Sequence, residues 1–156
     1  MSGKLEPAIV LLAVTGESPA ILTETVWALA HERPDLAIAN RDAHSLSVWS
    51  GTGYLKPAAF YQAQRVAVEH NPVALVAADL GGDAGPELAV LNAGSGSLSV
   101  LDNRFGLLAA RPASAAGPSP RAIAAVDLDG DGVRDLCWLV EDPRGARLAV
   151  ARADGH

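Results

Sequence analysis

The sequence predicts a mainly β fold of tandem four-stranded repeats, preceded by a short strand-loop-helix segment. Three features point there. One phrase recurs at a spacing of about fifty residues; each copy is a pair of short apolar runs around a turn; and acidic, glycine-bearing loops precede two of the copies.

Composition sets the outer bounds. The chain has 156 residues, is 49% hydrophobic and carries a formal net charge of −6, enough apolar content for one cored domain. Lysine occurs only at Lys4 and Lys56, which together with the negative net charge argues against a DNA or RNA duplex as partner, since that would need a basic stripe. The single cysteine, Cys137, sits in an apolar run and reads as a small buried hydrophobe. It fixes no compartment.

In chain order, residues 1–32 come first. The apolar run 8–14 is too short to span a bilayer and is expected to form a buried strand, with no membrane span and no cleaved signal. Residues 15–18 read as a turn and 19–31 as a helix, with Ser18 as N-cap and Pro19 at the first helical position. Ile21, Leu22, Val26, Leu29 and Ala30 give that helix its apolar stripe. A loop feeding a helix N-terminus offers unpaired N–H groups to an anion.

The repeat region, 33–156, divides at about 33–72, 73–118 and 119–156. Asp35-Leu-Ala-Ile-Ala-Asn40 and Ser45-Leu-Ser-Val-Trp49 align without gaps on Glu87-Leu-Ala-Val-Leu-Asn92 and Ser97-Leu-Ser-Val-Leu101, an offset of 52 residues. The third copy, Asp135-Leu-Cys-Trp-Leu-Val140 and Arg147-Leu-Ala-Val-Ala151, follows at an offset of 48 with two extra residues in its turn, 141–146. Further strand-like runs at 73–78 and 122–126 precede the second and third hairpins. Fourth strands are expected at 58–62 and 105–110. Strand, loop, strand, turn, strand, strand makes one propeller-type blade, and 112–120 reads by composition as a linker between blades.

The loop Asp127-Leu-Asp129-Gly-Asp131-Gly-Val133-Arg-Asp135 places carboxylates at positions 1, 3, 5 and 9 and glycines at 4 and 6. A hard cation such as calcium takes six to eight oxygens at about 2.3–2.6 Å, and glycine permits the tight turn that folds the acids inward. Asp127, Asp129, Asp131 and Asp135 are therefore expected to offer carboxylate oxygen, and Val133 its carbonyl. The other reading is a solvated acidic turn, in which four Asp repel each other with only Arg134 as counter-cation. An EF-hand is excluded, because position 12 is Trp138 and strands flank the loop. The second unit keeps Asp79, Asp83 and Glu87 at positions 1, 5 and 9 but has Gly81 at position 3, which makes it either a weaker site or a metal-free turn. The first unit retains only Asp35.

These phrases resemble FG-GAP/VCBS repeats over about 120 residues. That resemblance implies a β-propeller whose acidic loops bind calcium, as in integrin-like heads, adhesins and secreted bacterial enzymes. It implies Asp127, Asp129, Asp131 and Asp135 as ligands, with Asp79, Asp83 and Glu87 as a degraded set. Three blades cannot close a propeller, which leaves a fragment, an open array or an oligomerising segment. The string from Val14 to Leu29, in contrast, resembles the N-terminal motif of CRISPR-associated ring nucleases. There Thr15, Gly16, Ser18 and Pro19 would face the phosphates of a cyclic oligoadenylate.

The expected function is a non-enzymatic calcium-binding recognition or adhesion module with a protein or glycan partner. His31, His44, His70 and His156 lack metal-ligand spacing, and no serine has nucleophile-elbow context. Unpaired sheet edges predict self-association. The alternative is a ring nuclease or sensor acting on cyclic oligoadenylate.

Overall fold

The computed structural model describes residues 9–12, 35–51, 60–81, 86–104 and 107–153. Among them every regular element is a strand, arranged as three similar, mainly antiparallel sheets. The expected helix at 19–31, and with it Thr15, Gly16, Ser18 and Pro19, lies outside the described residues, as does Asp83. Among the described residues no helix is long and apolar enough to cross a membrane.

Sheet A contains β1 (Ile9–Leu12), β2 (Asp35–Asn40), β3 (Ser45–Gly51) and β4 (Phe60–Ala67) in that order. Sheet B contains β5 (Pro72–Ala78), β6 (Glu87–Asn92), β7 (Ser97–Arg104) and β8 (Leu107–Ala110), with the short β9 (Ser114–Ala115) also on β7. Sheet C has three strands, β10 (Pro120–Val126), β11 (Asp135–Asp142) and β12 (Gly145–Ala151).

The three hairpins repeat one register. Ala39 pairs with Leu46 and Ala37 with Val48 in sheet A; Leu91 with Leu98 and Ala89 with Val100 in sheet B; Leu139 with Leu148 and Cys137 with Val150 in sheet C. Since side chains alternate across a strand, these pairs define one face of each sheet, here called the forward face. The intervening pairs, Ile38 with Ser47, Val90 with Ser99 and Trp138 with Ala149, define the rear face.

The sheets pack forward face to rear face. Ala37, Ala39 and Leu46 of sheet A form one buried cluster with Leu88, Val90 and Leu101 on the rear of sheet B. Ala89, Leu91 and Leu98 on the front of sheet B form another with Leu136, Trp138 and Val140 on the rear of sheet C. Sheet B thus has cover on both sides, which is why all six residues of β6 are buried and why its centre, residues 88–91, is a continuous apolar run.

Two polar devices add to this packing, one between sheets and one within hairpins. The Gln64 side chain on β4 imitates a strand backbone: its Nε2 donates to the Leu108 carbonyl at 2.6 Å and its Oε1 accepts from the Leu108 N–H at 2.9 Å. Within the first two hairpins an Asn closes the turn end. Asn40 Nδ2 donates to Ser47 Oγ and Asn92 Nδ2 to Ser99 Oγ, both at 2.9 Å. The third unit has Val140 in that place and makes no such bond.

Both expected fourth strands are present among the described residues: that expected at 58–62 is β4 (Phe60–Ala67), which runs on five residues further, and that expected at 105–110 is β8 (Leu107–Ala110). Other expectations need correction. The third hairpin turn is not six residues long. Strand pairing runs on to Asp142 opposite Gly145, because Gly145 adopts φ +120°, a conformation that costs glycine little. Residues 112–120 do more than link: Ser114–Ala115 pair with β7, and the buried Ala116 accepts a 2.9 Å hydrogen bond from Trp138 Nε1. Cys137 lies half-buried on the forward face of sheet C, not in the core. In the first unit, the place that an antiparallel strand takes in sheets B and C is filled by β1, running parallel to β2.

Candidate metal centre

The acidic loop joins β10 to β11. Gly130 and Gly132 have φ of +82° and +91°, which an L side chain rarely adopts, so the chain doubles back and turns its carboxylates toward its own N–H groups. Asp127 Oδ1 accepts from Gly130 at 2.6 Å and its Oδ2 from Gly132 at 3.1 Å. Asp129 Oδ1 accepts from Asp131 at 3.4 Å, and Asp131 Oδ1 accepts from Val133 at 2.8 Å.

Asp135, the first residue of β11, is 1% exposed. Its Oδ2 accepts from Leu128 N–H at 2.9 Å and its Oδ1 from Ala153 N–H at 3.0 Å, which clamps the loop start and the chain after β12 to one side chain. The second loop repeats half of this. Glu87, 2% exposed at the start of β6, accepts from Leu80 N–H at 2.8 Å, and Asp79 accepts from Gly81 at 3.3 Å. The two loops also touch, with Arg134 N–H donating to the Asp79 carbonyl at 3.1 Å.

Asp127, Asp129 and Asp135 each bring one carboxylate oxygen to within 4.8 Å of the others, the one such acidic group among the described residues. Asp131, expected beside them, is outside this set, and its Oδ1 is turned to the Val133 N–H. The second expected set, Asp79, Asp83 and Glu87, has Asp83 outside the described residues. The separation has a direct physical meaning: two ligands of one calcium ion at about 2.4 Å can lie at most ~4.8 Å apart. An all-carboxylate oxygen set suits a hard cation over zinc or copper. Hydrogen bonds from loop N–H groups do not use up the set, because each carboxylate oxygen has two lone pairs.

Two neighbours of the loop escaped sequence reasoning. Arg152 Nη1 approaches Asp129 Oδ2 at 3.3 Å, a largely exposed ion pair, and Ala153 supplies the second N–H to Asp135. Both follow β12, whose last residue Ala151 pairs with Leu136. Only the register of that hairpin brings them to the loop.

A scan against models of protein families finds no match, and neither does a search of curated proteins.

Proposed function

We propose that the chain is a non-catalytic β-repeat scaffold in which the loop Asp127–Asp135 is stapled by calcium and which acts as a recognition or adhesion module. The observation that carries this reading is the convergence of Asp127, Asp129 and Asp135 oxygens within 4.8 Å on a loop bent by two left-handed glycines. Asp135 anchors the set from the core, Asp127 shapes the turn, and Asp129 is the exposed carboxylate that Arg152 partly neutralises. When bound, the cation supplies positive charge among repelling carboxylates and fixes the loop. Asp131 and the Val133 carbonyl would supply further oxygens to the same ion. Recognition of a protein or glycan falls to the exposed loops and edges that the packed sheets display.

Calorimetry and thermal unfolding test it. Calcium at a hundredfold excess over its Kd should stabilise the fold by about 2.7 kcal/mol, chelator should reverse the gain, and magnesium should substitute poorly because it keeps a smaller hydrated octahedron. Asp129→Ala should remove most of the response. No heat of calcium binding at millimolar concentration, or an unchanged thermal shift in Asp129→Ala, would refute the reading.

A further inference from the structure

Strands β5 and β10 are entered through the same phrase. Asn71-Pro-Val-Ala-Leu75 and Ser119-Pro-Arg-Ala-Ile123 share the proline and the alanine at an offset of 48 residues. In both, the residue before the proline is left-handed, with φ of +55° at Asn71 and +42° at Ser119, a backbone that a side chain resists and a following proline disfavours further. In both, the strand then bulges, between Pro72 and Ala74 and between Pro120 and Ile123. Strain and bulges of this kind gather where a chain aims its side chains at a ligand. The two phrases line one cleft.

That cleft, of about 670 Å³, draws residues from all three sheets and lies at the opposite end of β5 and β10 from the acidic loops. Its volume suits a small molecule. Its charged groups are Arg41, in the turn between β2 and β3, and Arg121 of β10, and among the described residues no Asp or Glu lines it. In a chain of net charge −6 this is a local reversal of sign. Arg41 makes no ion pair with a described residue. Arg121 pairs with Glu141 at 2.7 Å, but both side chains are exposed, and such a pair is weak. We propose that the cleft binds a small carboxylate that also carries hydroxyl groups, a sugar acid, free or at the end of a glycan.

Each half of that ligand has its counterpart. The guanidinium groups receive the carboxylate in charge-assisted hydrogen bonds. The Ser119 hydroxyl and the Asn71 carboxamide can both donate and accept, as sugar hydroxyls require. Asn71 is fixed by its backbone, whose N–H donates to His44 Nδ1 at 3.1 Å and whose carbonyl accepts from Ala93 N–H at 2.8 Å. Its side-chain Oδ1 is buried and has no hydrogen-bond partner, so the fold leaves the carboxamide with capacity unspent. The cleft gives the recognition reading a ligand class and does not depend on the calcium loop at the other end of the strands.

Titration of the whole chain with galacturonate, followed by amide NMR shifts in buffer stripped of divalent cations, tests the proposal. Galacturonate should bind saturably and move the amides of Asn71, Ala93 and Ala122, whereas neutral galactose should not. Arg41→Gln should weaken binding by about tenfold or more, the loss of a hydrogen bond between charged groups. Arg111→Gln, the same change of charge at a residue that pairs with Asp102 outside the cleft, should leave it unchanged. Ser119→Gly, which suits the left-handed backbone but removes the hydroxyl, should weaken binding without lowering the melting temperature. Trigalacturonate binding more tightly than the monomer supports the site with a glycan as the source, and equal affinity supports it with the free acid. Asp129→Ala should keep full affinity for galacturonate, so failure of the calcium staple and failure of this cleft are told apart. No saturation at tens of millimolar, equal binding of galactose, or equal losses in Arg41→Gln and Arg111→Gln overturns the proposal. Tighter binding of a triaspartate peptide overturns it in favour of an acidic protein segment.

Discussion

Asp135 and Glu87 occupy the ninth place of their loops, open β11 and β6, and are almost wholly buried while accepting from the loop backbone. Their first duty is therefore structural and precedes any metal. Asp135→Ala would remove the hydrogen bonds from the Leu128 and Ala153 N–H groups, and a hydrogen bond to a charged group contributes about 1.5–3 kcal/mol. Urea unfolding in chelator should register a loss of that size, and unchanged stability would refute the clamp role. Asp129, exposed, should lower metal-free stability little when replaced by Ala. At this scale the sequence was legible wherever spacing alone decides, as in the acid and glycine positions of the loop. It was not legible where a partner arrives from another strand. Arg152 beside Asp129 and the turning of Asp131 toward Val133 depend on tertiary register and on competition among N–H donors.

Among elements, the hairpins were legible because turn residues and apolar alternation are local signals. Asn40 and Asn92 also carried a signal that went unused: each precedes a Ser-Leu-Ser phrase at the same offset, and each becomes the amide that ties the two strands. Longer-range devices left no such trace. Gln64 is one polar residue in a strand, yet its amide completes hydrogen bonding between β4 and β8. Two such bonds at about 1 kcal/mol each predict that Gln64→Ala destabilises by roughly 1–2 kcal/mol with an unchanged denaturant m-value. A variant as stable as the parent would show that water replaces the amide without loss. Residues 112–120 misled by composition. Proline and serine mark irregular backbone, but they do not forbid one short pairing or one buried alanine.

The whole molecule has a direction: each sheet offers a forward face to the rear of the next, so the repeat is a stack with unlike ends. That polarity was implicit in the aligned phrases, since the same residues recur at the same pairings. What the sequence could not convey was which faces the described residues bury against one another, because that depends on packing in three dimensions. Self-association was expected from unpaired strand edges; the leucines and valine exposed on sheet C are apolar surface of another kind, on a sheet face. The parallel pairing of β1 with β2 also sets an order in time. Residues 13–34 separate those strands, whereas four residues separate β6 from β7. Closing the longer segment costs about 1.5 kcal/mol more in chain entropy, for a four-residue strand in a parallel ladder, the less stable kind of pairing. Sheets B and C can assemble from neighbouring strands alone, and sheet A must wait for its first strand to return. In pulse-labelled refolding the amides of Ile9–Leu12 should gain protection after those of Glu87–Asn92, and simultaneous protection would contradict this order. Strand β1 is then the last part of sheet A to be locked, and the first through which that sheet could begin to come apart.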